Sequence, residues 1–142
     1  MNGWTRSARW LGDGLIGVSG SDSHSVGTGA TVKVETTPFG LHVLDTGSWT
    51  SRVIDTDSTG LQTSGTTVLG YHEGWSAYDR DGRLRYDIEL PGTDWLAIAG
   101  TRGYVCDQRD AVAVIDLKSG ARTPVGAGHV CPTLLVGRAS DN

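Results

Sequence analysis

Two cysteines, four prolines, one phenylalanine and one methionine are all that 142 residues provide of these types. A single cysteine pair is too little for a disulfide framework. Cys106 and Cys131, 25 residues apart in apolar contexts, are expected as buried free thiols packed in strands. The alternative is a disulfide between neighbouring strands. Long apolar runs are also missing. The longest are about five residues, where a membrane-spanning helix needs about 20. The first ten residues, Met1-Asn-Gly-Trp-Thr-Arg-Ser-Ala-Arg-Trp10, lack the apolar core of a secretory leader. The expectation is therefore a soluble, cytoplasmic chain without a membrane partner.

Clustered positive charge is absent as well. The net charge is -4, and the 12 basic residues are scattered singly. Nucleic acid needs clustered Lys and Arg for its phosphates, so it is not an expected partner. What the chain does have is glycine, at 21 positions, among apolar residues that are mostly Val, Leu, Ile and Trp. Glycine at this level without a collagen period suits many short strands joined by turns.

Three stretches nearly repeat one another: Leu41-His-Val-Leu-Asp45-Thr-Gly47, Trp75-Ser-Ala-Tyr-Asp79-Arg-Asp-Gly82 and Ala113-Val-Ile-Asp116-Leu-Lys-Ser-Gly120. Each is an apolar run closed by Asp, with Gly shortly after. Asp45, Asp79 and Asp116 stand 34 and 37 residues apart. Gly65, Gly100 and Gly137 each close another apolar run, at intervals of 35 and 37. Two markers on one beat of this size indicate repeated supersecondary units. In each unit the Asp is read as a structural turn residue that bonds backbone amides ahead of it, with Gly supplying positive φ.

The clearest unit spells four strands. Trp95-Leu-Ala-Ile-Ala99 is continuously apolar, as a strand buried on both faces would be. Residues 100–103 form a turn, 104–108 a second strand, 109–110 a turn, and 111–115 a β-branched third strand. After the Asp116 turn, residues 121–125 form a short fourth strand, whose Pro124 belongs at an edge. The preceding unit follows the same plan: 61–64, 66–71, 75–78, and an alternating outer strand over 83–90. The first unit is longer. Residues 9–11 and 15–18 match two strands, 19–29 is a Ser/Gly-rich insertion read as a floppy decoration, and 31–35 alternates like a strand. Residues 130–137 restart the pattern.

The expected fold is all-β: a β-propeller segment of about three four-stranded antiparallel blades plus one extra strand, within one domain, 1–142. The blade units fall at about 5–58, 59–92 and 93–128, with a fourth beginning at 129–137. The run Gly103-Tyr-Val-Cys-Asp-Gln-Arg-Asp-Ala-Val-Ala-Val-Ile-Asp-Leu-Lys-Ser-Gly120 resembles the repeat of YVTN-type β-propellers, within the wider group of WD40 and PQQ-like propellers. Tyr104-Val105 and Val114-Ile115-Asp116 are the matching positions. The resemblance is close over 95–128, looser over 59–90 and partial over 9–55. It is weaker toward WD40 repeats, because no Gly-His and Trp-Asp pair recurs, and toward PQQ-like repeats, whose tryptophan after the turn recurs only as Trp49. It implies a ring of six to eight blades, of which three would leave open edges.

Chemistry is harder to find. Gly12-Asp-Gly14-Leu-Ile-Gly17 spells G-x-G-x-x-G, but Val18-Ser-Gly-Ser-Asp-Ser cannot open the helix a dinucleotide site requires. Asp55-Thr-Asp57-Ser-Thr-Gly60 begins like a calcium loop, yet its twelfth position is Thr66 rather than Glu. His24, His42, His72 and His129 show no zinc spacing, and His129-Val-Cys131 offers two ligands where zinc takes three or four. Glu73 beside His72 could work as an acid/base pair, but adjacent strand residues point to opposite faces. No catalytic, cofactor or metal residue is assigned. The expectation is a non-catalytic scaffold or protein-interaction module, completed by self-association or by a longer parent chain, with a second copy or another protein chain as its partner. Alternatives are a portion of a lactonase- or lyase-like propeller enzyme, or a small carbohydrate-binding propeller assembly.

Overall fold

In the computed structural model the described residues are 2–92, 94–126 and 128–132. They form twelve strands: β1 (Gly3–Gly12), β2 (Leu15–Val26), β3 (Lys33–Asp45), β4 (Thr50–Asp55), β5 (Gly60–Ser64), β6 (Thr67–Tyr71), β7 (Trp75–Tyr78), β8 (Leu84–Ile88), β9 (Trp95–Ala99), β10 (Arg102–Asp107), β11 (Asp110–Asp116) and β12 (Arg122–Pro124). A single 3-10 turn at Gly29–Thr31 is the one helical element among the described residues. The strands pair in chain order into three four-stranded antiparallel sheets, β1–β4, β5–β8 and β9–β12. Every pairing within them is antiparallel. No helix among them is long and apolar enough to cross a membrane. The chain divides into two compact units, Met1–Glu89 and Leu90–Asn142.

The three aspartates occupy one place in the plan, the turn from third to fourth strand. Asp45 Oδ1 accepts from the amides of Gly47 (2.8 Å) and Ser48 (3.2 Å). Asp79 Oδ1 accepts from Asp81 and Arg83, both at 3.0 Å. Asp116 Oδ1 accepts from Lys118 (2.8 Å) and Ser119 (3.1 Å). Those bonds hold the Asp116 carboxyl below its ordinary pKa, because the amide dipoles favour the charged form.

In the first unit two sheets pack face to face. Leu11, Leu41 and Val43 of the first sheet meet Leu61, Val68 and Tyr78 of the second, all buried, with Leu15 and Ile54 against them. Burial of this kind is worth about 25 cal/mol per Å² of apolar surface. Polar groups seal the seam. Buried Ser19 and Ser58 approach at 3.2 Å between hydroxyls, Ser58 Oγ donates to Gly60 O at 2.9 Å, and Gly40 N–H donates to Ser58 O at 2.9 Å. At the far end of the seam Arg80 reaches back to Leu11 O (3.2 Å) and Asp13 (2.8 Å).

The insertion of the first unit is no floppy decoration. β2 continues to Val26 and β3 begins at Lys33, and the two stay paired as far as Val26 and Lys33, with one register shift between Gly20 and Ser21. β1 likewise begins at Gly3, six residues before the expected strand. Local propensity does not favour Ser-Asp-Ser-His-Ser as a strand. Cross-strand partners do, through Ser23–Thr36 (3.3 Å), Thr5–Ser21 (3.1 Å) and His24–Glu35 (3.6 Å).

The second unit is one sheet in the order β12-β11-β10-β9, so both β9 and β12 are edges. Pro124 sits on the edge strand β12. Trp95–Ala99 is correctly a strand but is not buried on both faces. Only Ala97 is buried, while Trp95 and Ala99 are exposed, as suits an edge. Cys106 and Cys131 are joined in a disulfide, with Cα atoms 5.9 Å apart, which corrects the expectation of free thiols. The bond lies within a buried cluster of Ala97, Cys106, Ala111 and Cys131, flanked by Tyr104. Of the expected extra strand, Val130 makes an antiparallel bridge to Asp110; residues 133–137 lie outside the described residues.

Candidate functional site

The pairings of the first sheet sort its side chains onto two faces. Residues directly opposite share a face. One set of rows supplies the packed core already described. The other contains Trp10–Ile16–Leu44–Ser51 and Ala8–Val18–His42–Val53. On this second face Ile16, Val18, His42 and Leu44 are only half-buried. Trp10 is 64% exposed and Val53 53%, and Trp4, two strand repeats along from Ala8, is 73% exposed. Large apolar side chains gathered on one open face mark an interaction surface more often than isolated ones do.

A stacked group extends that face. A register shift between Gly20 and Ser21 leaves Phe39 without a direct partner, since Gly20 pairs Gly40 and Ser21 pairs Pro38. The Arg6 guanidinium lies 3.8 Å from the Phe39 ring centroid and 5.8 Å from that of Trp4. Arg6 is held there by Asp22 at 2.9 Å. The His42 ring lies 4.4 Å from Phe39 on centroids, and its Nε2–H donates to Phe39 O at 2.9 Å. The geometry fits an amphipathic contact surface. It supplies no nucleophile and no general base aimed into a cavity.

A second feature is the cleft of about 330 Å³ lined by Leu15, Val43, Asp45, Thr50, Ser51, Arg52 and Asp81. Its polar groups are largely committed. Asp45 holds its turn, and Arg52 Nη2 donates to Arg80 O at 2.6 Å. Tryptophan does not line this cleft.

The remaining motifs fall on turns. Gly12, Asp13 and Gly14 all have positive φ and close the β1–β2 hairpin, and a strand follows them. Asp55 Oδ1 accepts from Asp57 N at 2.9 Å, while its Oδ2 accepts from Tyr78 OH at 2.7 Å. His72 and Glu73 are in the β6–β7 hairpin rather than in a strand, with Glu73 at φ 53° and both side chains exposed. Among the described residues no group of three or more His, Cys, Asp or Glu could hold a metal ion. The surface that sequence reasoning missed, built from Trp4, Arg6, Phe39 and Trp10, had a signal: Trp4-x-Arg6-x-Ala8-x-Trp10 alternates with a strand's period of two.

Compared with family models, curated proteins and solved structures, the chain finds no match in any of the three.

Proposed function

We propose that this chain is a non-catalytic β-propeller-type scaffold whose interaction surface is the open face of the first sheet, and that a second copy of the chain covers it. One observation carries the reading: Trp10, Val53 and Trp4 stand exposed beside half-buried Ile16, Val18 and Leu44 on a sheet whose other face is packed. The blade-like plan supports it. Three sheets each run as a four-strand meander, and each turns from third to fourth strand on an Asp that bonds amides ahead of it. Within the first unit, the face of the second sheet that carries Leu61, Val68 and Tyr78 is covered by the first sheet. The first sheet lacks such cover on its other side, and a like sheet is the cover its apolar rows fit. The Cys106–Cys131 bond favours an oxidising compartment over the cytoplasm, where thiols stay reduced.

The test is light scattering of the purified chain at micromolar concentration. A particle of twice the 15.0 kDa chain mass is expected, and a compact monomer overturns the reading.

A further inference from the structure

After β12 the described residues 125–126 and 128–132 form a strap along the outer edge of β11. Val125 N–H donates to Val112 O at 3.0 Å, Ala111 N–H to His129 O at 2.8 Å, and Cys131 N–H to Arg109 O at 2.7 Å. Of the strap residues 128–132, Gly128, His129 and Val130 are exposed and Pro132 is half-buried. Val130 is 75% exposed, whereas Cys131 is 2% exposed. The only fully buried side chain of the strap is therefore the one whose sulfur is bonded to Cys106. That bond crosses to β10, one strand further in, and belongs to the buried cluster that includes Ala111 and Ala97.

From this arrangement we infer that the Cys106–Cys131 disulfide is a redox latch that holds the strap over the edge of the third sheet. The pairing along residues 109–111 rests on a few backbone bonds, and of the strap residues 128–132 only Cys131 contributes a buried side chain. Exposed edge pairing of this kind opens readily unless something pins it. The disulfide is the pin. A dithiol reductant opens it by exchange. Its thiolate attacks one latch sulfur, the other leaves as a thiolate and takes up a proton, and the reductant's second thiol releases the first cysteine. Two electrons and two protons pass to the protein, and the reductant closes to its own disulfide. Once open, the strap uncovers Ala97, Ala111 and Tyr104 and frees Arg109 C=O and Ala111 N–H, a short edge to which an extended peptide can add. The oxidised chain thus presents a closed edge and the reduced chain an open one.

Amide hydrogen exchange on the full chain, oxidised and then reduced with dithiothreitol, tests this. Alkylation with iodoacetamide counts free thiols in parallel. The oxidised chain is expected to take no label, and reduction to speed exchange at Ala111 and Cys131 by about tenfold or more while Val43, Val68 and Leu69 keep their rates. The C106S/C131S variant should exchange like the reduced chain. Should that variant not fold, the reduced native chain carries the comparison alone. Unchanged exchange at Ala111 and Cys131 overturns the latch, as do two free thiols in the unreduced chain. Loss of protection at Val43 and Val68 on reduction overturns it too, because the bond would then hold the whole fold.

Discussion

Tyr78, on the third strand of the second sheet, donates its hydroxyl to Asp55 Oδ2, at the end of the last strand of the first, over 2.7 Å. The bond joins the polar contacts of Ser19 with Ser58 and of Arg80 with Asp13 along the seam around the apolar core. Burial and the neighbouring Asp55 carboxylate raise the Tyr78 pKa from 10.0 to about 12. A raised pKa means that the folded chain keeps this proton after the unfolded chain has lost it. Its contribution to stability is therefore complete below pH 10 and falls as pH rises from about 10 to 12. Ultraviolet titration should show one tyrosine ionising near pH 12. Tyr78→Phe should remove that late step and cost about 1–2 kcal/mol by leaving Asp55 Oδ2 without its donor.

Asp79 should behave as a turn residue. Replacement with Ala removes two amide bonds to one oxygen and should cost about 1 kcal/mol, a few degrees in Tm. Asp79→Asn keeps the acceptor and should restore most of it. An Ala variant melting like the parent would contradict the role.

Asp116 makes the same kind of turn with its carboxyl held below the usual range, so its contribution is present above pH 3.8 and lost as pH falls through the lowered value. Acid titration of Asp116→Asn should lack that loss. The check is urea unfolding of both chains at pH 5 and at pH 3.

The repeat was legible because its signals are local. An apolar run closed by Asp and Gly specifies a strand and its turn without help from distant residues, and Trp75–Tyr78 and Trp95–Ala99 are strands at the expected positions. The long β2–β3 hairpin was hidden because Asp22, Ser23 and His24 become strand residues only when Thr37, Thr36 and Glu35 stand opposite them. Likewise, nothing in the 25-residue spacing of Cys106 and Cys131 shows that the chain after β12 turns back beside the β10–β11 hairpin. The open face was half legible. Its Trp4 and Trp10 alternate plainly, but Phe39 joins Arg6 only through a register shift between β2 and β3.

If the open face is where copies meet, charge placed there should separate them. Trp10→Glu together with Val53→Lys alters two exposed side chains without touching the packed core. Self-association should weaken at least about tenfold, equivalent to about 1.4 kcal/mol, while circular dichroism stays that of the parent. Sedimentation at several concentrations gives the readout, and unchanged association would place the contact elsewhere.

Gly20 tests the geometry under the stacked group. It lies buried between Arg6 on β1 and Gly40 on β3, where the neighbouring strand comes unusually close. A Cβ at this position would collide with the carbonyl oxygen of Thr5 and stand 2.8 Å from its carbonyl carbon. Backbone cannot rotate aside as a flexible side chain can, so Gly20→Ala must push β1 away from β2. The cost should lie at the upper end of overpacking penalties, about 3 kcal/mol. Gly65→Ala serves as a control, because nothing lies within 4 Å of its added methyl and only its positive φ opposes the change. Urea unfolding of both variants should show the larger loss at Gly20, with β1 amides exchanging faster than those of β3. Equal losses would mean that β1 is not seated against β2 as closely as its pairing from Gly3 to Gly12 requires.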